Sequence, residues 1–395
     1  MGRPPQNHRL AEFGTTIFAE MSALAVRTGA INLGQGFPDT DGPEEVREAA
    51  VRALRDGLGN QYPPGPGVPE LREAVAAHQE RWYGHLGVVC DPETEVLVTA
   101  GATEAITAAL LGLLEPGDEV VALEPYYDSY AAAIAMAGGT RVPVTLRPDA
   151  ERGRFQLDLD ELRDAVTDRT RLILLNSPHN PTGTVLSRSE LAAVAELCVE
   201  RDLLVVTDEV YEHLVFDGEH LPLASFPGMR ERTVTISSAG KTFSFTGWKV
   251  GWVTAVPELL AAVRSAKQYL TYVSAGPFQY AVAEALRLPD AYFTELRERL
   301  ATQRDVLVSG LSEAGFTVFP PAGTYFVTTD IRPLGESDGV GFCLRLPERC
   351  GVVAVPNQVF YDHAEVGAPF VRFAFCKRVS VLREAAERLG ALRGG

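Results

Sequence analysis

"TRLILLNSPHNPTGTVLSRSELAAVAELCVERDLLVVTDEV", residues 170–210, decides the fold. Its first run, "TRLILLNS", is almost continuously apolar rather than alternating, as expected of a parallel strand covered on both faces. Pro178 and Pro181 rule out helix next and predict a rigid, turned loop. Ser187-Arg188-Ser189-Glu190 is a capping-box pattern that opens a helical apolar repeat. "DLLVVTDEV" then returns as a second apolar strand, so the stretch is a βαβ unit.

The same reading extends outward. "TEVLVTA", "DEVVALEP" and "TRVPVTL" precede this unit and "RTVTISS" follows it. Several such units in series predict an α/β, doubly wound, mostly parallel sheet. After about Leu286 the pattern changes to a charged helix, "AYFTELRERLATQRDVLVSGLSEAG". Short strands follow in "FTVFPPAGTYFVTTD", "GVVAVP" and "FVRFAFCK", and then a closing helix. This predicts a smaller α+β domain. No internal repeat or low-complexity tract interrupts the chain.

Composition narrows the function. The 395 residues are 46% hydrophobic and 22% charged, enough for a large and a smaller domain. Lys plus Arg is 36 against 52 Asp plus Glu, a formal charge of −16, which excludes nucleic acid as a general partner. No apolar run approaches the roughly 18 residues of a membrane span, and "MGRPPQNHRLAEFG" lacks the apolar core of a secretion signal. A cytoplasmic location is expected. Cys90, Cys198, Cys343, Cys350 and Cys376 are scattered and never form a CxxC pair, so reduced thiols are expected rather than disulfides or a metal site.

The chemistry gathers at the carboxyl ends of predicted strands, where open α/β sheets place ligands. "RTVTISS" delivers Ser238 and Lys241, and no acid lies near Lys241 in sequence. Such a lysine is either a loop residue in water or an amine nucleophile with a lowered pKa. Asp208 follows a run of apolar residues and needs a partner if buried, unless it caps a helix. Tyr211 supplies a phenol three residues later. Asn180, in the Pro-bounded loop, offers an amide to the same edge, or merely opens a turn. "AGATEA" puts Ala102 and Thr103 at a helix start, whose free N–H groups suit a phosphate. Ser238 and Lys249 can add a hydroxyl and an ammonium to that anion. An amine, an acid, a phenol, an amide and an anion cradle on one sheet edge together outline pyridoxal 5′-phosphate.

These motifs also carry a resemblance. Lys241 in "SSAGKTFSFTGWKVGW", Asn180 in "NSPHNPTG", Asp208 and Tyr211 in "DEVY", and Arg372 in "VRFAFCK" resemble the signature of class I/II aminotransferases of PLP fold type I. The resemblance spans nearly the whole chain. "INLGQGFPD", "NQYPPGPG" and "EPYYDSY" narrow it toward the kynurenine aminotransferase, glutamine transaminase K and N-succinyldiaminopimelate aminotransferase branch. It implies a large domain, 46–285, with a mostly parallel seven-stranded sheet between helices, and a small domain from 1–45 and 286–395. It also implies that Lys241 links covalently to the cofactor and that Asp208 pairs with the pyridine nitrogen. Tyr211 and Asn180 would bond the phenolic oxygen, and Tyr127 would stack on the ring. Ala102, Thr103, Ser238 and Lys249 would hold the phosphate. Tyr62 would arrive from a partner subunit, making a homodimer with a shared site.

Arg372 is legible from physics as well, being the single charge on an otherwise apolar strand. Its guanidinium fork matches the carboxylate that every amino acid and 2-oxo acid carries; the alternative is a structural salt bridge. Gly34 and Gly36 form no dinucleotide fingerprint, because Phe37-Pro38 follows and no helix opens there. The resemblance sets Gly36 and Phe18 beside the substrate. Phe18 stands where the kynurenine-type enzymes commonly carry tryptophan, and Thr103 where they carry tyrosine, which opens the pocket to a longer or more polar side chain. The reaction expected is ping-pong transfer of an amino group from an L-amino acid to 2-oxoglutarate or pyruvate. Donors are expected in the kynurenine, glutamine, methionine or N-succinyl-diaminopimelate range. β-Elimination from cysteine S-conjugates and a non-catalytic sensor of the same fold are the alternatives.

Overall fold

The computed structural model describes residues 6–14, 16–149 and 153–394. Residues 1–5 and 395, the two ends of the predicted small-domain segments and part of the expected signal-free start, lie outside that set.

The strands Val96–Thr99, Gly251–Thr254, Thr233–Ser238, Leu204–Asp208, Thr170–Asn176, Glu119–Glu124 and Thr140–Thr145 lie side by side in that order as one seven-stranded sheet. Only Gly251–Thr254 runs antiparallel to its neighbours. The continuous hydrophobicity of the strands follows from burial on both faces. Val120, Ala122, Leu172, Leu174 and Val206 pack with the helices Gly101–Leu113 and Asp128–Ala137. Val121, Leu123, Ile173, Leu175 and Val205 pack on the opposite side, with Leu191 and Val194 of the helix Arg188–Glu200. Each of these Val, Leu and Ile side chains contributes roughly 1.5–3 kcal/mol by leaving water. The helix Arg188–Glu200 is capped as predicted: Ser187 accepts from the Glu190 N–H while the Glu190 carboxylate accepts from the Ser187 N–H.

A second, four-stranded sheet takes Thr317–Phe319, Phe326–Asp330, Phe370–Ala374 and Val355–Pro356 in that order. The helices Asp290–Glu313 and Val379–Leu389 cover it through Leu307, Leu311 and Leu382. The five cysteines are free; Cys198, Cys343 and Cys376 are buried, Cys90 and Cys350 partly so. Among the described residues no helix is long and apolar enough to cross a membrane, and no cluster of His, Cys, Asp or Glu could hold a metal.

Candidate active site

Parallel strands end at the same sheet edge, so Thr99, Asn176, Asp208 and Ser238, each the last residue of its strand, share one side of the molecule. A cavity of about 950 Å³ opens there, near the upper end of the roughly 300–1,000 Å³ typical of ligand sites. Lys241, Asp208, Tyr211 and Asn180 line it, with Tyr127 and Arg372. Ala102, Thr103, Ser238 and Lys249 line it too, as do Gly36 and Phe18. Tyr62 does not. It is 82% exposed, its ring against Tyr272 at 5.6 Å.

Asp208 is buried, and burial raises its pKa. Its Oδ2 accepts from the Tyr130 hydroxyl at 2.6 Å and its Oδ1 from the Val210 N–H at 3.3 Å. Among the described residues it caps no helix, and no cation is bonded to it. Lys241 has no ion-pair partner among the described residues; its Nζ lies 5.7 Å from the Tyr211 ring and 5.6 Å from the Tyr325 ring. Burial lowers its pKa to about 8, despite the opposing pull of Cys376 and Asp208. The Tyr211 phenol is pushed up, first by burial and then by Asp208, so it stays a donor.

Arg372 is 1% exposed, and burial depresses its pKa to about 10. Its Nη1 donates to Asn180 Oδ1 at 2.9 Å and its Nη2 to the Gly34 carbonyl at 2.8 Å, while Nε has no partner among the described residues. The rings of Phe326, Phe18 and Phe360 stand 4.0, 5.2 and 5.3 Å from the guanidinium. No carboxylate pairs with it among the described residues, which removes the structural salt bridge as its explanation. Gly36 must be glycine here: a Cβ would fall 2.4 Å from Phe326 Cζ.

Sequence reasoning missed Tyr130. The signal was present in "EPYYDSY", where Tyr127 and Tyr130 stand three apart at a helix start and so share a face.

The class I and II aminotransferase pattern matches residues 28–389. The chain belongs to that family. The N-succinyldiaminopimelate aminotransferase of Mycobacterium tuberculosis is 58% identical, and its structure superposes with a TM-score of 0.94 over 98% of this chain and 100% of that one. The methionine aminotransferase of Escherichia coli is 42% identical over 98% of each chain. Human kynurenine–oxoglutarate transaminase 1 is 37% identical, again over 98% of each.

This aminotransferase therefore depends on pyridoxal phosphate and moves amino groups between amino acids and 2-oxo acids. The cavity fits the cofactor by three features. Among the described residues, Asp208 is a buried acid with no bonded cation and Lys241 an amine with no ion-paired acid. In the same cavity, Gly101 takes φ +77° at the start of the helix Gly101–Leu113 and lets Lys249 close in: a Cβ there would meet its Nζ at 3.1 Å. With a pKa near 8 rather than 10.5, Lys241 is neutral in about one molecule in ten at pH 7. Cofactor uptake by the stripped aminotransferase should accelerate as pH rises toward 8 and level off above it. A stopped-flow uptake rate that is flat from roughly pH 6 to 9 would contradict that neutral-amine requirement.

Proposed function

We propose that this aminotransferase takes its amino group from an L-amino acid in the N-succinyl-diaminopimelate, glutamine, methionine or kynurenine range and passes it to 2-oxoglutarate or pyruvate by ping-pong turnover. One observation carries the reading: a buried guanidinium with, among the described residues, a free Nε and no carboxylate partner lines the cavity that also holds Lys241. Burying a cation costs several kcal/mol unless a partner arrives, and an α-carboxylate is that partner.

When bound, pyridoxal phosphate supplies an aldehyde that captures amines and a ring that accepts an electron pair. The protein supplies the rest. Arg372 holds the α-carboxylate and so aims the α-carbon's hydrogen at Lys241, whose neutral amine takes that proton and returns it on the cofactor side. Asp208 keeps a proton at the ring nitrogen. Tyr211 and Asn180 donate to the phenolic oxygen, and Tyr127 packs against the ring. The backbone of Ala102 and Thr103, with Ser238 and Lys249, holds the phosphate. Gly36 and Phe18 border the substrate side chain, and the small Thr103 leaves room for a long one.

The proposed division of the chain is a large domain, 46–285, and a small one from 1–45 and 286–395. The proposed assembly is a homodimer in which Tyr62 of each subunit completes the other's site. Supporting it, Tyr62 and Tyr272 are 82% and 51% exposed in the single chain with their rings 5.6 Å apart, an exposed aromatic pair that a partner subunit would cover. The five free thiols support a reducing, cytoplasmic location. A donor panel against 2-oxoglutarate and pyruvate tests the substrate reading. N-succinyl-diaminopimelate, glutamine, methionine and kynurenine should include the donor of highest kcat/KM; a better donor outside that set, such as aspartate or alanine, overturns it.

A further inference from the structure

We propose that Asn176 is a positioning residue that ties the acid at the ring nitrogen to the amide at the phenolic oxygen; this rests on the roles proposed above for Asp208, Asn180 and Arg372. Asn176 ends the strand Thr170–Asn176 and sits in register beside Asp208 on the neighbouring strand. It is 4% exposed. Its Nδ2 donates to the Asp208 carbonyl at 2.7 Å, and its Oδ1 accepts from the Asn180 N–H at 2.8 Å. The orientation of the amide is forced, because a carbonyl can only accept and an N–H can only donate.

One side chain thus fixes the backbone of both residues. Asn180 Oδ1 is in turn occupied by Arg372 Nη1, which leaves the Asn180 Nδ2 as that amide's donor. At the other end, Tyr130 donates to Asp208 Oδ2. A continuous run of hydrogen bonds therefore leads from Tyr130 through Asp208, Asn176 and Asn180 to the guanidinium. Only a short primary amide can fill the middle place. Ionised aspartate has no donor for the Asp208 carbonyl, and serine is one bond shorter and carries a single polar atom. Through this link, the residues gripping the two sides of the cofactor ring keep one spacing.

The test uses the loaded enzyme and reads the pH midpoint of its visible band by spectrophotometric titration, alongside kcat and KM. In Asn176→Ala, the Asn180 amide loses its fixed place, so less of the negative charge on the phenolic oxygen is stabilised. The midpoint should rise by about one pH unit, and kcat/KM should fall about tenfold. Asn176→Asp should also raise it, because it offers no donor and adds negative charge. Ser177→Ala is the control: it removes the hydroxyl that accepts from the Leu186 N–H in the same loop but touches neither site residue. It should lower thermal stability and leave the midpoint and kcat at the unaltered values. An unchanged midpoint in whichever Asn176 variant folds, or an equal shift in Ser177→Ala, overturns the positioning role while leaving Lys241 and Asp208 in theirs. An unaltered enzyme with no visible band after loading overturns both readings at once.

Discussion

Lys241→Ala is expected to abolish the visible band of covalently held cofactor and to lower kcat by about four orders of magnitude or more. Two losses combine in that figure. Proton transfer by a positioned side chain is worth roughly 10²–10⁴ in rate, and the covalent tether that readies the aldehyde for exchange disappears as well. The second lysine of the cavity, Lys249, stands against Gly101 at the helix start. Absorbance and steady-state turnover read the two losses separately, and a variant that keeps either one disproves the assignment. The same variant tests the shared site. Tyr62→Ala is expected to be weak alone, and mixing it with Lys241→Ala should recover part of the activity. A mixed dimer has one site with both the lysine and the tyrosine intact, whereas two independent monomers give no recovery.

Arg372→Ala should lower kcat/KM for every α-amino acid by about 10²–10³-fold, mostly through KM. Truncating one member of a buried, hydrogen-bonded charge pair costs roughly 2–5 kcal/mol, and each 1.4 kcal/mol is a factor of ten. Here the lost group also holds Asn180 Oδ1 and the Gly34 carbonyl, so some decrease in kcat is expected too. Unchanged KM values with a lowered melting temperature would make the residue structural instead.

The fold was legible because the βαβ pattern is a property of neighbours in sequence. The apolar runs that end in Asn176, Asp208 and Ser238 fall where the sheet has strands, and the Ser187 capping box forms with both its bonds. The strand Gly251–Thr254 was not legible: four residues beginning in glycine, after a stretch rich in Ser, Thr and aromatics, carry little strand signal. Tyr130 was hidden for a different reason. Its bond to Asp208 spans 78 residues, and the helix that carries it reads equally well without a functional tyrosine. The contact of Arg372 with Asn180, 192 residues away, and the closeness of Phe326 to Gly36 likewise exist only after folding.

That reversed strand explains why two ammonium groups occur eight positions apart. Because Gly251–Thr254 runs back beside Thr233–Ser238, with Gly251 opposite Ser238, the chain leaves the sheet and re-enters it at the same rim. Everything between 239 and 250 is one short excursion at the mouth of the cavity, carrying the proposed covalent anchor on its way out and the proposed phosphate clasp on its way home. A same-direction strand would have required a crossover of a dozen or more residues to the far rim before the chain could return. The two fastenings are thus physically one part, and whatever shifts that excursion shifts both together.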